Sequence, residues 1–209
     1  MPGPASPEPP LCGRVVYDRL AARYDRALAP LERWFLARLR AATLRELPPD
    51  SRILEVGAGT GLNFPYYPRG TSGVASELSG AMLERARRKE RPAGVYLIQT
   101  SAEHLPFADA MFDAALATLV FCSVVSPPRA FAELRRVVRA GGRVVLLEHV
   151  RPEGLMLGPI FDAISFFTVP LFEDHFNRRT ADEVRRAGLR VERIERHARG
   201  ILQMIVCRV

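Results

Sequence analysis

Residues 53–61, ILEVGAGTG, place an apolar run directly before three closely spaced glycines. The run at 52–56 is typical of a strand that is buried on both faces, as in a parallel sheet. Glycine adopts backbone angles that other residues avoid, and it lets a ligand approach the main chain. A strand that ends in such a turn before a helix predicts a nucleotide-type ligand at the carboxyl end of the sheet. The motif alone does not identify the ligand, and a turn made only for packing is the alternative.

Strand and helix patterns alternate along the rest of the chain. Strands are predicted at 52–56, 71–76, 95–98, 112–117, 143–149, 189–194 and 201–206. Helices are predicted over 15–47, with a break near Pro30, and over 81–89, 130–138 and 181–187. Ser79 and Thr180 are the expected N-caps, and residues 140–142 are expected to end the helix at 130–138. This order predicts a doubly wound parallel sheet with a final antiparallel strand.

The composition of the chain indicates how many domains it forms and what kind of environment the protein works in. A chain of 209 residues, 48% of them hydrophobic, suits one domain, predicted over 14–209, behind a disordered tail at 1–13. The net charge of +7 indicates a surface that attracts nucleic acid or anionic lipid, although an arginine-rich genome would also produce it. The three cysteines have neither metal-ligand spacing nor a disulfide framework, so a reduced, cytoplasmic protein without a metal site is expected.

A long apolar stretch, residues 154–172, interrupts the alternation after the fifth predicted strand. Its length approaches that of a membrane-spanning helix. Asp162 lies in its middle, and Pro159 and Pro170 interrupt it, so a spanning helix is disfavoured.

Two acidic residues narrow the choice of ligand. Glu77 follows the second strand, about twenty residues after Gly57, where dinucleotide folds place the acid that binds ribose hydroxyls. Glu55 lies within the first strand, where a buried carboxylate is costly without a partner. We expect Glu55 either to orient the glycine loop or to face a cationic ligand.

Four stretches resemble the class I S-adenosylmethionine-dependent methyltransferases. They are ILEVGAGTG, ELSGAMLERAR (77–87), SAEHLPFADAMFDAA (101–115) and ELRRVVRAGGRVVLLEH (133–149). Together they follow the family's order over most of residues 52–149. The resemblance implies a Rossmann-like, doubly wound, seven-stranded and mostly parallel sheet with N-terminal helices. It also implies that the protein binds S-adenosylmethionine and releases S-adenosylhomocysteine.

The resemblance assigns cofactor contacts position by position. The implied set is Tyr24, Glu55, Gly57, Ala58, Gly59, Glu77, Leu78, Met82, Ser101, Ala102, Glu103 and Thr118. Within it, the glycine loop would contact the methionine part, Glu77 the ribose hydroxyls, and Leu78 and Met82 the adenine. Ser101 stands where the family often has an acid, and Thr118 would lie near the amino-acid end of the cofactor or near the transferred methyl. Core packing is the alternative role for Met82.

The segment YDRLAARYDRAL (17–28) puts Tyr17 and Tyr24 on one face of a helix. This repeat resembles the bacterial phospholipid N-methyltransferases and the quinone C-methyltransferases, in which the helix is a lid across the cofactor. The resemblance implies that Tyr17 and Tyr24 cap S-adenosylmethionine. A pair of half-buried aromatic residues without that role is the alternative.

The same helix has the composition of an interfacial helix. Val16, Leu20, Ala27 and Leu31 repeat at helical spacing, and Arg19, Arg23 and Arg26 share another face. We expect residues 14–47 to form lid and membrane helices at an anionic membrane surface, with packing on the sheet edge as the alternative. A protein bound peripherally to the inner face of the membrane is the corresponding expectation.

The resemblance to the phospholipid-type group extends to FEDHFNRRT (172–180) and implies that residues 154–179 form a substrate-side insert. The implied activity is N-methylation of phosphatidylethanolamine towards phosphatidylcholine. The candidate catalytic residues are Tyr17, Tyr24 and His149, and the candidates for the lipid phosphate are Asn177 and Arg178.

Three alternatives stay open or are disfavoured on the sequence. Another apolar acceptor, such as a quinone or a thiol, is a close alternative. A non-catalytic membrane-binding protein is disfavoured because the glycines, Glu55 and Glu77 are intact. A nucleic-acid substrate is not expected, because TLVF rather than an NPPY-like tetrad follows the fourth strand.

Overall fold

The computed structural model describes residues 12–150 and 180–209, with side chains from residue 16 onward. The predicted substrate-side insert at 154–179 lies outside the described residues, and so do Asn177 and Arg178. Most of the predicted tail at 1–13 lies outside them as well. Among the helices that are described, none combines the length and the apolarity needed to cross a bilayer.

One sheet of seven strands organises the described residues, in the order β3-β2-β1-β4-β5-β7-β6. The strands are β1 (Arg52–Val56), β2 (Ser72–Glu77), β3 (Val95–Gln99), β4 (Phe112–Thr118), β5 (Val138–His149), β6 (Arg190–His197) and β7 (Leu202–Arg208). Strands β1 to β5 pair in parallel, and β7 runs antiparallel to both β5 and β6. The predicted doubly wound, mostly parallel sheet with a final antiparallel strand is confirmed.

Helices pack on both faces of the sheet, and the N-terminal helices precede its first strand in the chain. They are α1 (Cys12–Leu31), α2 (Ala37–Leu44), α3 (Gly80–Arg87), α4 (Pro127–Val137) and α5 (Thr180–Arg186). A π-helical segment, Glu32–Leu36, joins α1 to α2. The predicted break near Pro30 therefore takes the form of this segment, because proline cannot donate the regular helical hydrogen bond. Helix α1 begins at Cys12, inside the segment predicted to be a disordered tail.

The core lies on both faces of the sheet, because successive residues of β1 point to opposite faces. Ile53 packs in a cluster with Leu44 of α2, and Leu54 packs in another with Phe131 of α4. All four side chains are fully buried. Burial of each contributes about 1.5–3 kcal/mol. Helices on both faces are what a parallel sheet requires, and they leave the carboxyl ends of the strands as the open edge.

Helix α1 does not bury the apolar repeat that its sequence contains. Leu20 is 37% exposed and Leu31 is 46% exposed, and Ala27 between them is also exposed. The buried side of the helix is instead marked by Ala21, and the helix packs beside α3. The apolar repeat is therefore not the face by which α1 contacts the rest of the domain.

Two boundaries differ from those predicted. Helix α4 ends at Val137, and Val138 already pairs with Phe112, so β5 includes residues 140–142 that were expected to end the helix. A register shift between Phe112 and Ala114 absorbs the extra residues. Thr180 is the first described residue of α5, and its expected N-cap role stays a prediction, because the residues before it lie outside the described ones.

Candidate cofactor-binding site

The glycine loop after β1 is shaped by backbone angles that favour glycine. Gly57 has a φ of 66° and Gly59 a φ of 57°, and the Ala58 amide donates to the Ser76 carbonyl over 2.9 Å. A Cβ on Gly57 would lie 2.4 Å from the Val120 side chain, whereas a Cβ on Gly59 would meet no atom within 4 Å. Gly57 is thus needed for packing, and Gly59 borders open space that a ligand can fill.

Glu77, at the end of β2, is held in place by backbone amides. Gly59 donates to its Oε2 and Ser79 donates to its Oε1, each over 2.8 Å. Burial raises the pKa of the carboxyl, and the two amide hydrogen bonds oppose that rise. A carboxylate oxygen can accept more than one hydrogen bond, so Glu77 can still receive ligand hydroxyls.

A cavity of about 380 Å³ opens at the carboxyl ends of β1, β2 and β4. Most of the sequence-predicted site residues line it: Tyr17, Tyr24, Gly57, Ala58, Gly59, Glu77, Leu78, Met82, Ser101, Ala102, Glu103 and Thr118. Met82 is also buried in the core, so packing and a ligand-facing position are both met by one side chain. Glu55 and His149 are not among the described residues that line this cavity.

Helix α1 forms one side of the cavity. Tyr17 and Tyr24 both line it, with ring centroids 6.5 Å apart and planes inclined at 67°. This edge-to-face contact is the arrangement that aromatic pairs prefer. The predicted shared face of the two tyrosines is therefore present and directed to the cavity.

Asp18 joins α1 to the start of α3. Its Oδ1 accepts hydrogen bonds from the Ser79 hydroxyl over 2.5 Å and from the Ala81 amide over 3.1 Å. The Ser79 hydroxyl also accepts from the Met82 amide over 3.1 Å, which confirms Ser79 as the N-cap of α3. A carboxylate at a helix N-terminus is favoured by the helix dipole.

Asp25 makes a second connection between α1 and the domain, about two helical turns after Asp18. It accepts from the Thr60 hydroxyl over 2.5 Å and pairs with the Lys89 ammonium over 2.8 Å. Sequence reasoning did not select Asp18 or Asp25, although each follows one of the tyrosines in the repeated pair Tyr-Asp. This repeat in the sequence could have indicated that both carboxylates lie on the side of the helix that faces the domain.

A buried polar network lies under the cavity at the end of β4. Both Nε and Nη2 of Arg40 lie 2.8 Å from Glu32 Oε1, and Nη1 donates to Asn63 Oδ1 over 3.0 Å and to Thr118 Oγ1 over 2.7 Å. Asn63 also donates to Thr118 Oγ1 over 2.8 Å. The sequence predicted only Thr118 of this group, because its partners come from distant parts of the chain.

Glu55 is hydrogen-bonded to the segment that follows the glycine loop rather than to the loop itself. Its Oε1 accepts from Asn63 Nδ2 over 2.5 Å, and its Oε2 accepts from the Tyr67 hydroxyl. Burial raises the pKa of the carboxyl despite these hydrogen bonds. Glu55 therefore orients the segment that follows the glycine loop. The structure does not bring it to the cavity wall, so the second role, facing a cationic ligand, is not supported.

Two further buried carboxylates hold the loop after β4. Glu103 accepts from the Ser126 amide over 2.9 Å. Glu148, which the sequence analysis did not select, accepts from the Val120 amide over 3.1 Å and from the Phe121 amide over 3.2 Å. The loop that closes this side of the cavity is thus positioned by side chains from two other segments.

His149 lies at the end of β5, paired with Leu202 of β7. Burial lowers its pKa to about 4, so the imidazole is neutral at neutral pH. Because it does not line the cavity, the structure does not bring it together with Tyr17 and Tyr24.

The described wall fits an adenosine that carries an amino-acid chain. Glu77 offers acceptors for ribose hydroxyls, Leu78 and Met82 offer apolar contacts to a base, and Gly59 leaves open space beside them. A glycine loop at the first strand and an acid at the end of the second are the features of a nucleotide site in a doubly wound sheet. The fold and the site together are those of a class I methyltransferase.

Comparison with known proteins leads to the same class. Residues 54–146 match the family described as methyltransferase domain. The chain is 36% identical over 120 residues to a phosphatidylethanolamine N-methyltransferase of Cereibacter sphaeroides, covering 56% of this chain and 59% of the relative. It is 34% identical over 132 residues to the ubiquinone/menaquinone biosynthesis C-methyltransferase UbiE of Vibrio vulnificus (strain YJ016), covering 58% of this chain and 50% of the relative.

A solved structure extends the fold comparison. A SAM-dependent methyltransferase from Thermotoga maritima superposes with a TM-score of 0.70 at 23% identity, covering 94% of this chain and 99% of that one. The chain matches only 59% and 50% of the length of the two curated relatives. Residues 54–146 thus match the methyltransferase domain family, within a fold shared with a SAM-dependent methyltransferase, and the described cavity favours S-adenosylmethionine as the cofactor.

Proposed function

We propose that the protein transfers a methyl group from S-adenosylmethionine to the amine of phosphatidylethanolamine, towards phosphatidylcholine, at an anionic membrane surface. One observation carries this proposal. Helix α1 lines the cofactor cavity with Tyr17 and Tyr24 and also exposes apolar and basic residues to solvent. A lid whose outside suits lipid is what an enzyme with a membrane-bound acceptor requires. The similarity to a phosphatidylethanolamine N-methyltransferase supports the same acceptor.

The exposed side of this region is here called the outer surface. It comprises Leu20, Ala27, Leu31 and Trp34 with Arg19, Arg23 and Arg26, all of them exposed. Trp34, in the π-helical segment, is 78% exposed. Tryptophan is enriched at membrane interfaces, and each arginine near an anionic surface contributes about 1 kcal/mol. We infer from this composition a peripheral association with the cytoplasmic face of the membrane.

The reaction needs alignment more than acid–base chemistry. S-adenosylmethionine supplies an electrophilic methyl group on a sulfonium when bound, and its leaving group is already good. The contribution of the chain is to hold the reactants together and to exclude water, which is the role proposed for the lid. The attacking amine must be neutral, so a hydrogen-bond acceptor beside it assists.

Tyr17 and Tyr24 are the candidate residues for that assistance. Both line the cavity, and a phenolic oxygen can accept a hydrogen bond from an amine. His149, the third candidate, is not among the described residues that line the cofactor cavity, and its role towards the acceptor stays a prediction. Asn177 and Arg178 stay as predictions for the lipid phosphate, outside the described residues.

A quinone precursor is the second candidate acceptor. The UbiE relatives favour it, because they are nearly as similar to this chain as the phosphatidylethanolamine enzyme is. The outer surface would serve either acceptor, since both reside in membranes.

Product analysis separates the two candidates. The protein would be incubated with S-adenosylmethionine labelled on its methyl group and with vesicles that contain phosphatidylethanolamine, phosphatidylglycerol and a demethylated quinone. Label in mono- and dimethylated phosphatidylethanolamine is the expected result. Label in the quinone fraction would support the second candidate, and no label in either fraction would overturn both. Glu77→Ala is the matched control for label that does not depend on the cofactor site.

A further inference from the structure

Arg40 is a buried cation in the wall of the cofactor cavity. It is 4% exposed, and it belongs to α2, outside the methyltransferase motifs in the sequence. Of the described residues that line the cavity, it is the only arginine or lysine. Of those described as buried, it is the only basic one. Burying a charge costs free energy, so the buried position of Arg40 needs a physical reason.

Stability alone does not explain this charge. Glu32 neutralises part of it at 2.8 Å, yet a buried ion pair is often no more stabilising than apolar side chains of similar size. Glu32 holds Nε and Nη2, and the two N–H groups of Nη1 donate to Asn63 and Thr118, so the second N–H of Nη2 is the donor that these described contacts leave for a ligand. Arg40 and Thr118 both line the cavity, so the guanidinium lies at its wall.

The position of Arg40 within the cavity selects one part of the cofactor. Glu77 ends β2 and Thr118 ends β4, on either side of β1, so they lie roughly 10 Å apart at the usual strand spacing. The ribose hydroxyls match the acid at the β2 end, which leaves the amino-acid end of the cofactor for the β4 end. The carboxylate is the only anionic group of S-adenosylmethionine, and a cation suits no other part of it.

We propose that Arg40 is a cofactor-binding residue whose guanidinium recognises the carboxylate of S-adenosylmethionine. Glu32 is then a positioning residue, and Asn63 and Thr118 complete the polar surroundings of the guanidinium. With one N–H left by the described contacts, Arg40 would bind the carboxylate through a single charge-assisted hydrogen bond. This role concerns the cofactor alone, so it holds whichever acceptor the protein methylates.

The test is calorimetric binding of two ligands that differ only in the carboxylate. They are S-adenosylmethionine and decarboxylated S-adenosylmethionine. The wild-type protein is expected to bind the first about 10- to 100-fold more tightly, the usual range for a hydrogen bond to a charged group. Equal affinity of the wild-type protein for the two ligands would overturn the proposal without any variant.

Two variants then assign the preference to Arg40. Arg40→Gln is expected to lose most of the affinity for S-adenosylmethionine and little of that for the decarboxylated ligand. If Arg40 had a purely structural role, Arg40→Gln would instead bind both ligands more weakly by the same factor, and that result would overturn the proposal. Arg38→Gln is the matched control, because Arg38 is exposed on the same helix. If thermal unfolding shows that Arg40→Gln does not fold, Arg40→Lys takes its place, with the same expected loss of preference in smaller degree.

Discussion

The two sides of the cofactor cavity are built in different ways. On the sheet side, Gly57, Gly59 and Glu77 are held by backbone hydrogen bonds and by packing within a parallel sheet. On the lid side, α1 is attached through the side chains of Asp18 and Asp25. Interactions between partly exposed side chains are individually weak, whereas buried backbone contacts are part of the fold. This difference supports the proposal that α1 is a lid that detaches without unfolding the sheet.

The largest expected effect concerns the sheet side and is a change of the free energy of unfolding with pH. His149 has a folded-state pKa of about 4, below its ordinary value of 6.5, because of burial. The unfolded chain therefore binds a proton at a pH where the folded chain does not. Its contribution to stability is fully present above pH 6.5 and is lost as the pH falls to about 4, a change of about 3 kcal/mol.

The measurement is denaturant unfolding of the wild-type protein and of His149→Gln across this pH range. Glu55 and Glu77 have raised pKa values and act in the opposite direction, so the informative quantity is the difference between the two proteins. The wild-type protein should lose stability faster than the variant on acidification. Parallel curves for the two proteins would mean that His149 is not buried in the neutral form.

The second effect tests the sheet side itself. Glu77→Ala should weaken S-adenosylmethionine binding by about 1–3 kcal/mol, because the ribose hydroxyls lose a charged acceptor. The glycine loop also loses the acceptor of the Gly59 amide. Calorimetry checks this, with Glu84→Ala as control, since Glu84 is an exposed acid on α3. Unchanged affinity in Glu77→Ala would remove the assigned role.

The third effect tests the outside of the lid. Arg19, Arg23 and Arg26 are each expected to contribute about 1 kcal/mol to binding of anionic vesicles, through attraction to the lipid charge. Sedimentation should show binding that rises with phosphatidylglycerol content, falls with salt, and falls in Arg23→Gln but not in Arg88→Gln. Arg88 is an exposed arginine at the end of α3 and does not belong to the outer surface. Equal binding to neutral and anionic vesicles would contradict the assignment of the outer surface.

The smallest effect tests the attachment of the lid. Asp25→Asn removes the ion pair with Lys89, which is worth about 0.2–1 kcal/mol at a partly exposed position. Release of S-adenosylhomocysteine should then accelerate by about two- to fivefold, since the lid opens more readily. Stopped-flow measurement of release checks this, and Lys89→Gln should behave like Asp25→Asn. Release that is unchanged in both variants and insensitive to salt would show that this pair does not hold the lid.

Much of the cavity wall was predictable because it depends on local pattern and on sheet geometry. The apolar run and the glycines identify β1 and its turn, and Glu77 lies at a regular distance from them. Once the strands are known to be parallel, their carboxyl ends meet at one edge, and the residues that follow them must converge. Tyr17 and Tyr24 were predictable because helical spacing puts them on one face.

The side-chain partners across the cavity were not predictable in the same way. Arg40 contacts Thr118, which is 78 residues away, and no local pattern links the two. The role of Glu55 was open between two alternatives until Asn63 and Tyr67 were found on its two oxygens. His149 appeared as a candidate because it ends a strand, and only packing reveals that it does not reach the wall.

The amino-acid sequence by itself determined the order of strands and helices, the glycine turn, the acid at the end of β2 and the inward pair of tyrosines. These follow from periodicity and backbone conformation, which act over a few residues. Only the tertiary structure decided that α1 exposes its apolar repeat, that Asp18 and Asp25 attach it to the domain, and that Arg40 enters the cavity wall. Such contacts join distant segments, so they exist only after the chain has folded.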